Sequence, residues 1–517
     1  MRTLNIIAAL LFTATFLKAQ IILPTPEVFT TKTGSLILQK NIRISIQNKN
    51  SIVLPYLTDV VLKNAGIRIV TTTENKRPDM VFIVDKKIKE EAYKIEISPL
   101  KVVIKASGDP GFFYAVQSVH QLLLASAYKQ LPCADIEDAP KFSMRTFMLD
   151  SGRQYQKIAT IKKYLDMMAM LKMNTFHWHL TEGLGWRLEI KKYPKLTSIG
   201  AFVDRGPERQ GYYTQNDVRE LITYAAQRNI TIIPEIDMPG HAEAALIAYP
   251  QFSCFGDTTR LKEGQGFSSN IFCAGKPRTL QFLKDVLDEV CALFPSTYIH
   301  VGGDEAPKEN WNKCPDCQAV IKNENLKNSA ELQSYFSAQI ADYLNSKNKK
   351  AIFWEDVMYH DRYKLPANVV VHWWNWIGHK EEGIKKAIEN GHKVIQGTNY
   401  YTYLNFPVSP WKGYLQNRTF DIKDIYEKNP AARYIDANFS LGMSAALWTD
   451  YNVTEAMIDR RLFPRIFALT EQMWHKGDKL PFDVFYHNVK KISSQFEKMG
   501  YQSGPGLRTE VPVGYQW

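Results

Sequence analysis

The sequence predicts an α/β protein in which a (β/α)8 barrel follows a smaller α+β domain. Three observations predict it. The chain has 517 residues, more than the ~250–300 at which a single hydrophobic core usually stops growing. From about residue 141 onward, short apolar runs alternate with helical stretches: 145–149, 174–179, 231–236, 298–301, 351–354, 369–373, 393–396 and 444–448. Eight strand-like runs with helices between them are the pattern of a closed parallel barrel. Before residue 140 the pattern differs, with several strand-like segments and one helix.

The elements follow in chain order. Arg2 and the apolar run 4–16 read as a signal peptide over residues 1–19, with Ala19-Gln20 as the cleavage point. The run is too short to span a bilayer as a helix. No later segment has eighteen clean apolar residues, so the mature protein is expected to be exported, periplasmic or extracellular, without a membrane span. Residues 20–140 read as the α+β domain. Ile42, Ile44 and Ile46 alternate, 80–84 is an apolar run, and 93–98 and 101–106 form two strands joined at Pro99-Leu100. Phe113, Val116, Val119 and Leu123 then share one helix face. Residues 141–517 make the barrel and a C-terminal tail. Ile158, Ile161, Leu165, Met168 and Leu171 line one of its helices, and Leu332, Phe336, Ile340 and Tyr343 another.

Composition narrows the function. Hydrophobic residues at 45% and charged residues at 23% fit a folded globular chain. The net charge is +11, but its cations are scattered, as at Lys86-Lys87 and Lys191-Lys192. No arginine-rich arm or nucleic-acid motif accompanies them, so no nucleic-acid partner is expected. The 11 Trp suit either a large core or a sugar-binding cleft. Of the six Cys, Cys254 and Cys273 flank a polar stretch and are expected to form a disulfide in an exported chain. Cys314 and Cys317 make one C-x-x-C. A single such pair supports zinc only weakly, and a local disulfide or two free thiols is the expectation. Cys133 and Cys291 stand alone. No metal or cofactor is expected.

In a (β/α)8 barrel the chemistry sits at the C-terminal ends of the strands. Here those ends are rich in acids, imidazoles and rings: Asp150 and Arg153; His177, His179, Glu182, Trp186 and Arg187; Glu235, Asp237 and His241; His300, Asp304 and Glu305; Trp354, Glu355 and Asp356; His372, Trp373 and Trp374; Tyr401, Tyr403 and Asn405; Trp448 and Asp450. The sharpest signal is His300-Val-Gly-Gly-Asp304-Glu305. Two glycines permit a tight turn and close approach of a ligand. Two adjacent carboxylates raise the pKa of one of them, which suits a general acid. The plainer reading is a pair of acids at a helix start.

These stretches carry a resemblance. Met148-Leu-Asp-Ser-Gly-Arg153, His177-Trp-His-Leu180 with Gly185-Trp-Arg187, Pro234-Glu-Ile-Asp-Met-Pro-Gly-His241, His300-Val-Gly-Gly-Asp-Glu305 and Ala445-Ala-Leu-Trp448 occur in that order. Arg461-Leu-Phe-Pro-Arg465 and Glu471 through Trp474 come after them. With these motifs the sequence resembles the family 20 glycoside hydrolases, the β-N-acetylhexosaminidases, over nearly the whole mature chain. The resemblance implies exo-acting, retaining removal of terminal β-linked GlcNAc or GalNAc through an oxazolinium formed by the substrate's own acetamide. It implies N-acetylhexosamine-terminated glycans or chitooligosaccharides as partners. Glu305 would be the general acid and base, Asp304 would orient the acetamide N–H, and Tyr403 would donate to its carbonyl. Trp354, Trp374 and Trp448 would wall the pocket, with Trp373 an adjacent candidate for the sixth-strand ring. Arg153 and Asp450 would bind hydroxyls at the non-reducing end, joined by Asn405, and His241 would stand beside the acid with Asp237. Three positions depart from the family pattern: Glu182-Gly183-Leu184 where two acids and a Gln are common, Asn405 where Asp is common, and Asp450 where Glu is common. Two other functions fit parts of the pattern. A metal-dependent amidohydrolase would use His177, His179, His300, His372 and Asp450, and a non-catalytic sugar-binding protein would use the aromatic pocket alone.

Overall fold

The computed structural model describes residues 22–48, 51–73, 77–203, 206–256, 270–359, 363–376, 381–408, 420–429, 438–450 and 453–515. The expected signal peptide and its cleavage point lie outside them.

The N-terminal part is a seven-stranded sheet. Its spatial order is Val28–Ile37, Gln130–Asp138, Tyr93–Ile97, Val102–Ala106, Met80–Val84, Asn41–Ile46 and Arg68–Thr71. Tyr93, Ile95 and Ile97 are buried while Lys94 and Glu96 are exposed, the period-two pattern of a strand with one face on a core. The helix Asp109–Ala125 supplies that core with Phe113, Val116, Val119 and Leu123.

The second part is a closed barrel of eight parallel strands. In chain order they are Met144–Asp150, Thr175–His179, Thr231–Glu235, Tyr298–His300, Lys350–Trp354, Val370–Trp373, Lys393–Gln396 and Ser440–Leu447. They fall on the eight apolar runs of the sequence. Parallel strands wrapped by helices are buried on both faces, so they read as continuous apolar runs. Helices Ile158–Met170 and Ser329–Ser346 cover the outside with the apolar faces expected of them. The register sets Asp150 opposite His179, His179 opposite Glu235, and Glu235 opposite His300. Four polar residues therefore stand at one level of the C-terminal rim.

Buried charge joins the two parts. Arg145 of the first barrel strand donates to Glu91 and to the Tyr114 hydroxyl, both at 2.8 Å. Lys172 Nζ lies 2.9 Å from Asp138, both side chains being buried. The tail motif also has a positioning role. Arg461 donates to the carbonyl of Asn405 at 2.5 Å, and Arg465 to those of Leu404 and Phe406 at 2.7 Å. These bonds fix the loop after the seventh strand, which carries Tyr403. No described helix is long and apolar enough to cross a membrane.

The structure corrects one expectation. Cys254 and Cys273 are not bridged, and none of the six cysteines is in a disulfide.

Candidate active site

Val301-Gly302-Gly303 follows the fourth strand, and the two glycines set the direction of the chain beyond it. Gly302 has φ +65°, and a Cβ there would lie 1.6 Å from Asp237 Oδ1. Gly303 N–H donates to that same oxygen at 3.2 Å. The turn therefore wraps around the Asp237 carboxyl and delivers Asp304 and Glu305 to the barrel mouth. The next helix begins only at Glu309, with Lys308 as its cap, so the two acids are not helix-start residues. Glu305 is held at φ +44°, a region that non-glycine residues occupy at a cost, and its N–H donates to Asp356 Oδ1 at 3.3 Å. Gly302→Ala is expected to lower the thermal midpoint and turnover together. The left-handed backbone alone costs about 1–3 kcal/mol, and Asp237 must also move. Calorimetry beside an activity assay checks this, and unchanged values for both would show that the turn is not tightly defined.

His241 links the acid pair to a chain of alternating charge. Its Nε2 is 3.6 Å from Asp304 Oδ2 and 3.6 Å from Glu305 Oε2, and its Nδ1 is 2.6 Å from Glu182. Glu182 pairs with Arg153 at 2.5 Å, and Arg153 with Asp150 at 2.9 Å. Burial opposes charge on His241, yet Glu182 and Asp304 hold its imidazole well above the usual range. Burial also opposes charge on Glu182, and Arg153 and His241 hold it well below the usual carboxylate range. A buried imidazolium thus stands behind the two carboxylates. Asp304 Oδ1 is itself buried and, among the described residues, has no hydrogen-bond partner.

Beneath them Glu235 gathers the imidazoles. It accepts from His177 at 2.8 Å and His179 at 2.6 Å, from Trp354 Nε1 at 2.9 Å, and lies 3.1 Å from His300 Nδ1. Burial works against its charge, but His300, His179 and His177 hold it well below the usual range. Trp354 stacks on His372 with centroids 4.2 Å apart. Two of the imidazoles expected of an amidohydrolase thus spend hydrogen bonds on Glu235. Asp450, the carboxylate of that reading, instead accepts from Asn405 Nδ2 at 3.0 Å.

Aromatic rings close the sides. Tyr403, Trp374 and Trp448 share a cluster with Met148, Phe406 and Phe420. Trp448 lies 5.8 Å from the Tyr403 ring and 5.9 Å from Trp354, and the Arg153 guanidinium sits 5.1 Å over it. Trp373 is fully buried against Trp376 on the outer side of the barrel, which leaves Trp374 as the pocket ring. Trp374 Nε1 donates to Asp356 Oδ2 at 2.7 Å. Burial, with the charge of Asp304, keeps the Tyr403 phenol well above its usual pKa and therefore protonated.

The model of the glycosyl hydrolase family 20 catalytic domain matches residues 142–477, and that of the family's domain 2 matches residues 19–139. The chain belongs to glycosyl hydrolase family 20. The family 20 chain is 37% identical over 434 residues to the beta-hexosaminidase of Porphyromonas gingivalis, covering 80% of this chain and 54% of that protein. It thus spans about half the length of that relative, and 66% of the beta-hexosaminidase of Vibrio furnissii. The crystal structure of beta-N-acetylhexosaminidase from Bacteroides fragilis superposes with TM-score 0.90 at 52% identity, covering 96% of this chain and 100% of that one. An exo-beta-N-acetylglucosaminidase from Vibrio harveyi, in complex with N-acetylglucosamine, gives TM-score 0.84 at 26% identity, over 94% and 79% of the two chains.

In this family 20 chain, contacts at the barrel mouth join Asp304 and Glu305 to His241; Arg153, Tyr403 and Trp354 to Trp448; Trp374 to Asp356; and Asp450 to Asn405. Arg153 is more committed than expected, being paired with Asp150 and Glu182. Asp356 is in sequence only one more strand-end acid, yet it ties the Glu305 backbone to the Trp374 ring. Burial and the charge of Asp304 raise its pKa to about 7. The folded state therefore binds this proton more tightly than the unfolded chain. The resulting stabilisation is full below the ordinary value of 3.8 and is lost as pH rises through about 7. Asp356→Asn removes that loss. The thermal midpoint of the variant minus that of the parent is expected to increase between pH 4 and pH 8. Calorimetry across that range checks it, and a pH-independent difference would rule out Asp356 as the titrating group.

Proposed function

We propose that this family 20 chain is an exo-acting, retaining β-N-acetylhexosaminidase that uses the substrate's acetamide as nucleophile. The observation that carries the reading is the buried Asp304 Oδ1, which has no hydrogen-bond partner among the described residues, set among the Tyr403 hydroxyl, aromatic walls and a second carboxylate. A buried carboxylate oxygen left unpaired is costly, and an acetamide N–H is the donor that suits it.

The geometry supports a reaction in two steps. The terminal sugar enters with its ring against Trp448, and Asp450, Asn405 and Arg153 meet its distal hydroxyls, which makes the pocket blind and the action exo. Asp304 accepts the acetamide N–H, and Tyr403 donates to the carbonyl oxygen. That oxygen attacks the anomeric carbon as Glu305 gives its proton to the departing glycosidic oxygen. The bond to the leaving group breaks, and an oxazolinium forms whose positive charge lies beside Asp304. Glu305, now a carboxylate, takes a proton from water. The water oxygen opens the oxazolinium at the anomeric carbon, restoring the β configuration by a second inversion. The charged His241 keeps both carboxylates oriented and balances their repulsion.

A family relative, the N,N'-diacetylchitobiase of Vibrio harveyi, is 29% identical over 492 residues. Together with the complex holding N-acetylglucosamine, it supports ends of chitooligosaccharides or N-acetylhexosamine-terminated glycans as substrates. The sequence of residues 1–19 supports export to the periplasm or beyond, which N-terminal sequencing of the mature chain tests. The function is tested with aryl β-glycosides of GlcNAc, GalNAc and glucose. The acetamido sugars should be cleaved and the glucoside nearly untouched; comparable hydrolysis of all three would overturn the reading.

A further inference from the structure

Outside the sugar pocket, four cysteines that no step of the reaction uses converge on one point. Cys254, Cys273, Cys314 and Cys317 are all buried, and their sulfurs lie within 4.8 Å of one another. The separations are 3.9 Å for Cys254–Cys317, 3.7 Å for Cys273–Cys314 and 3.6 Å for Cys273–Cys317. A zinc ion with Zn–S bonds of about 2.3 Å sets the edges of its sulfur tetrahedron at about 3.8 Å. We propose that these four thiolates hold a structural zinc ion.

The surroundings are built for such a site. Cys314 caps the helix Pro315–Asn323, and Cys317 lies in its first turn. The other pair comes from the turn after residue 252 and from the strand-like bridge at Ser253–Phe272. These two pieces can meet only because residue 275 is glycine: a Cβ there would lie 2.2 Å from the Asp316 carbonyl carbon and the Cys317 nitrogen. Lys276 Nζ donates to the carbonyls of Ser253 and Cys254 at 2.6 and 2.7 Å, which sets a cation beside a zinc–tetrathiolate centre of net charge −2. Ile271, Trp311 and Leu332 close a dry shell around the sulfurs. Binding is a proton exchange without electron transfer: each thiol releases H⁺ to water as its sulfur takes up the ion. A closed set of four sulfurs leaves no open coordination position, which marks a structural and not a reacting metal.

The place of the site gives it a consequence. Cys314 ends the segment that carries Asp304 and Glu305, and Cys254 follows the segment that carries Asp237 and His241. Phe272, next to Cys273, donates to the carbonyl of Pro239 and accepts from Trp311 Nε1, both at 3.0 Å. One ion thus fastens both arms behind the acid pair.

The test uses the full chain, purified without chelator or added metal. Elemental analysis by mass spectrometry is expected to find one zinc per chain, and a mercurial reagent should release it into a colorimetric zinc indicator. Cys317→Ser should lose at least tenfold of the zinc content, while Cys291→Ser, outside the cluster, should keep it. Should Cys317→Ser fail to fold, cobalt exchange into the parent chain decides. Thiolate-to-cobalt charge-transfer absorption and the intense visible bands of tetrahedral cobalt are then expected. Iron in place of zinc, free thiols that take up neither zinc nor cobalt, or an intact mass lower by four hydrogens with no metal, meaning two disulfides, would each overturn the proposal. Zinc content does not depend on activity, so failure here leaves the glycosidase reading standing.

Discussion

Glu305→Gln is expected to reduce turnover of a natural β-linked disaccharide by about 10²–10⁴-fold, the usual contribution of general acid catalysis. The argument rests on position. Glu305 is delivered to the barrel mouth by a glycine turn, held by an N–H bond to Asp356 at 3.3 Å, and left with a side chain 35% exposed beside the buried His241. That partial exposure suits a group that must first reach a leaving oxygen and then a water. Gln keeps the size and loses the proton, so the loss must depend on how much the leaving group needs protonation. An alkoxide leaving group needs it fully, whereas a dinitrophenolate scarcely needs it. The defect should therefore shrink by orders of magnitude along a series of increasingly acidic phenols, and azide should accelerate the second step for the best of them. Equal losses along the series would remove Glu305 from the role of acid.

Much of the architecture is legible in sequence because burial writes itself there. The eight barrel strands are buried on both faces and appear as apolar runs. Strand Val28–Ile37, by contrast, is mostly exposed and exists through pairing with Gln130–Asp138 at the sheet edge. No local periodicity announces it. The same contrast divides the site. Acids and rings at strand ends are legible because a barrel gathers strand ends on one rim. Strand alternation also separates Trp373 from Trp374: His372 faces the barrel interior, stacked on Trp354, so its neighbour Trp373 faces the helices. Partnerships through space leave no such local trace. Asp356 joins Glu305 to Trp374 across 51 and 18 residues of chain. The four-thiol cluster is split in sequence between a loop pair and a lone C-x-x-C, and only the fold superposes them. Gly275, two residues after Cys273, alone carries a trace of that close approach.

Asp304→Asn is expected to cost about 10²–10³-fold in turnover, the scale on which removing one preorganised electrostatic partner of a transition state acts. Asn preserves the shape of Asp304 and still offers an oxygen to the acetamide N–H, so binding should change less than turnover. What it lacks is the charge that stabilises the oxazolinium as it forms. Attack by the acetamide oxygen is intramolecular, and well-oriented reactions of that kind reach effective molarities of ~10⁵–10⁸ M, provided the acetamide is held bent beneath the ring. A second carboxylate nucleophile would stand about 5–5.5 Å across the bond from the acid, a place that Asp304, the sequence neighbour of Glu305, cannot take. Successive fluorination of the substrate's acetyl group should slow the parent enzyme steeply, because each fluorine withdraws electrons from the attacking oxygen. In Asp304→Asn the slope is expected to flatten, since the intermediate whose charge the substituent opposes has lost its counter-charge. A stable thiazoline mimic should bind the parent tightly and the variant weakly. Insensitivity of the parent to fluorination, or a glycosyl ester trapped on any carboxylate of the chain, would replace the acetamide with a protein nucleophile.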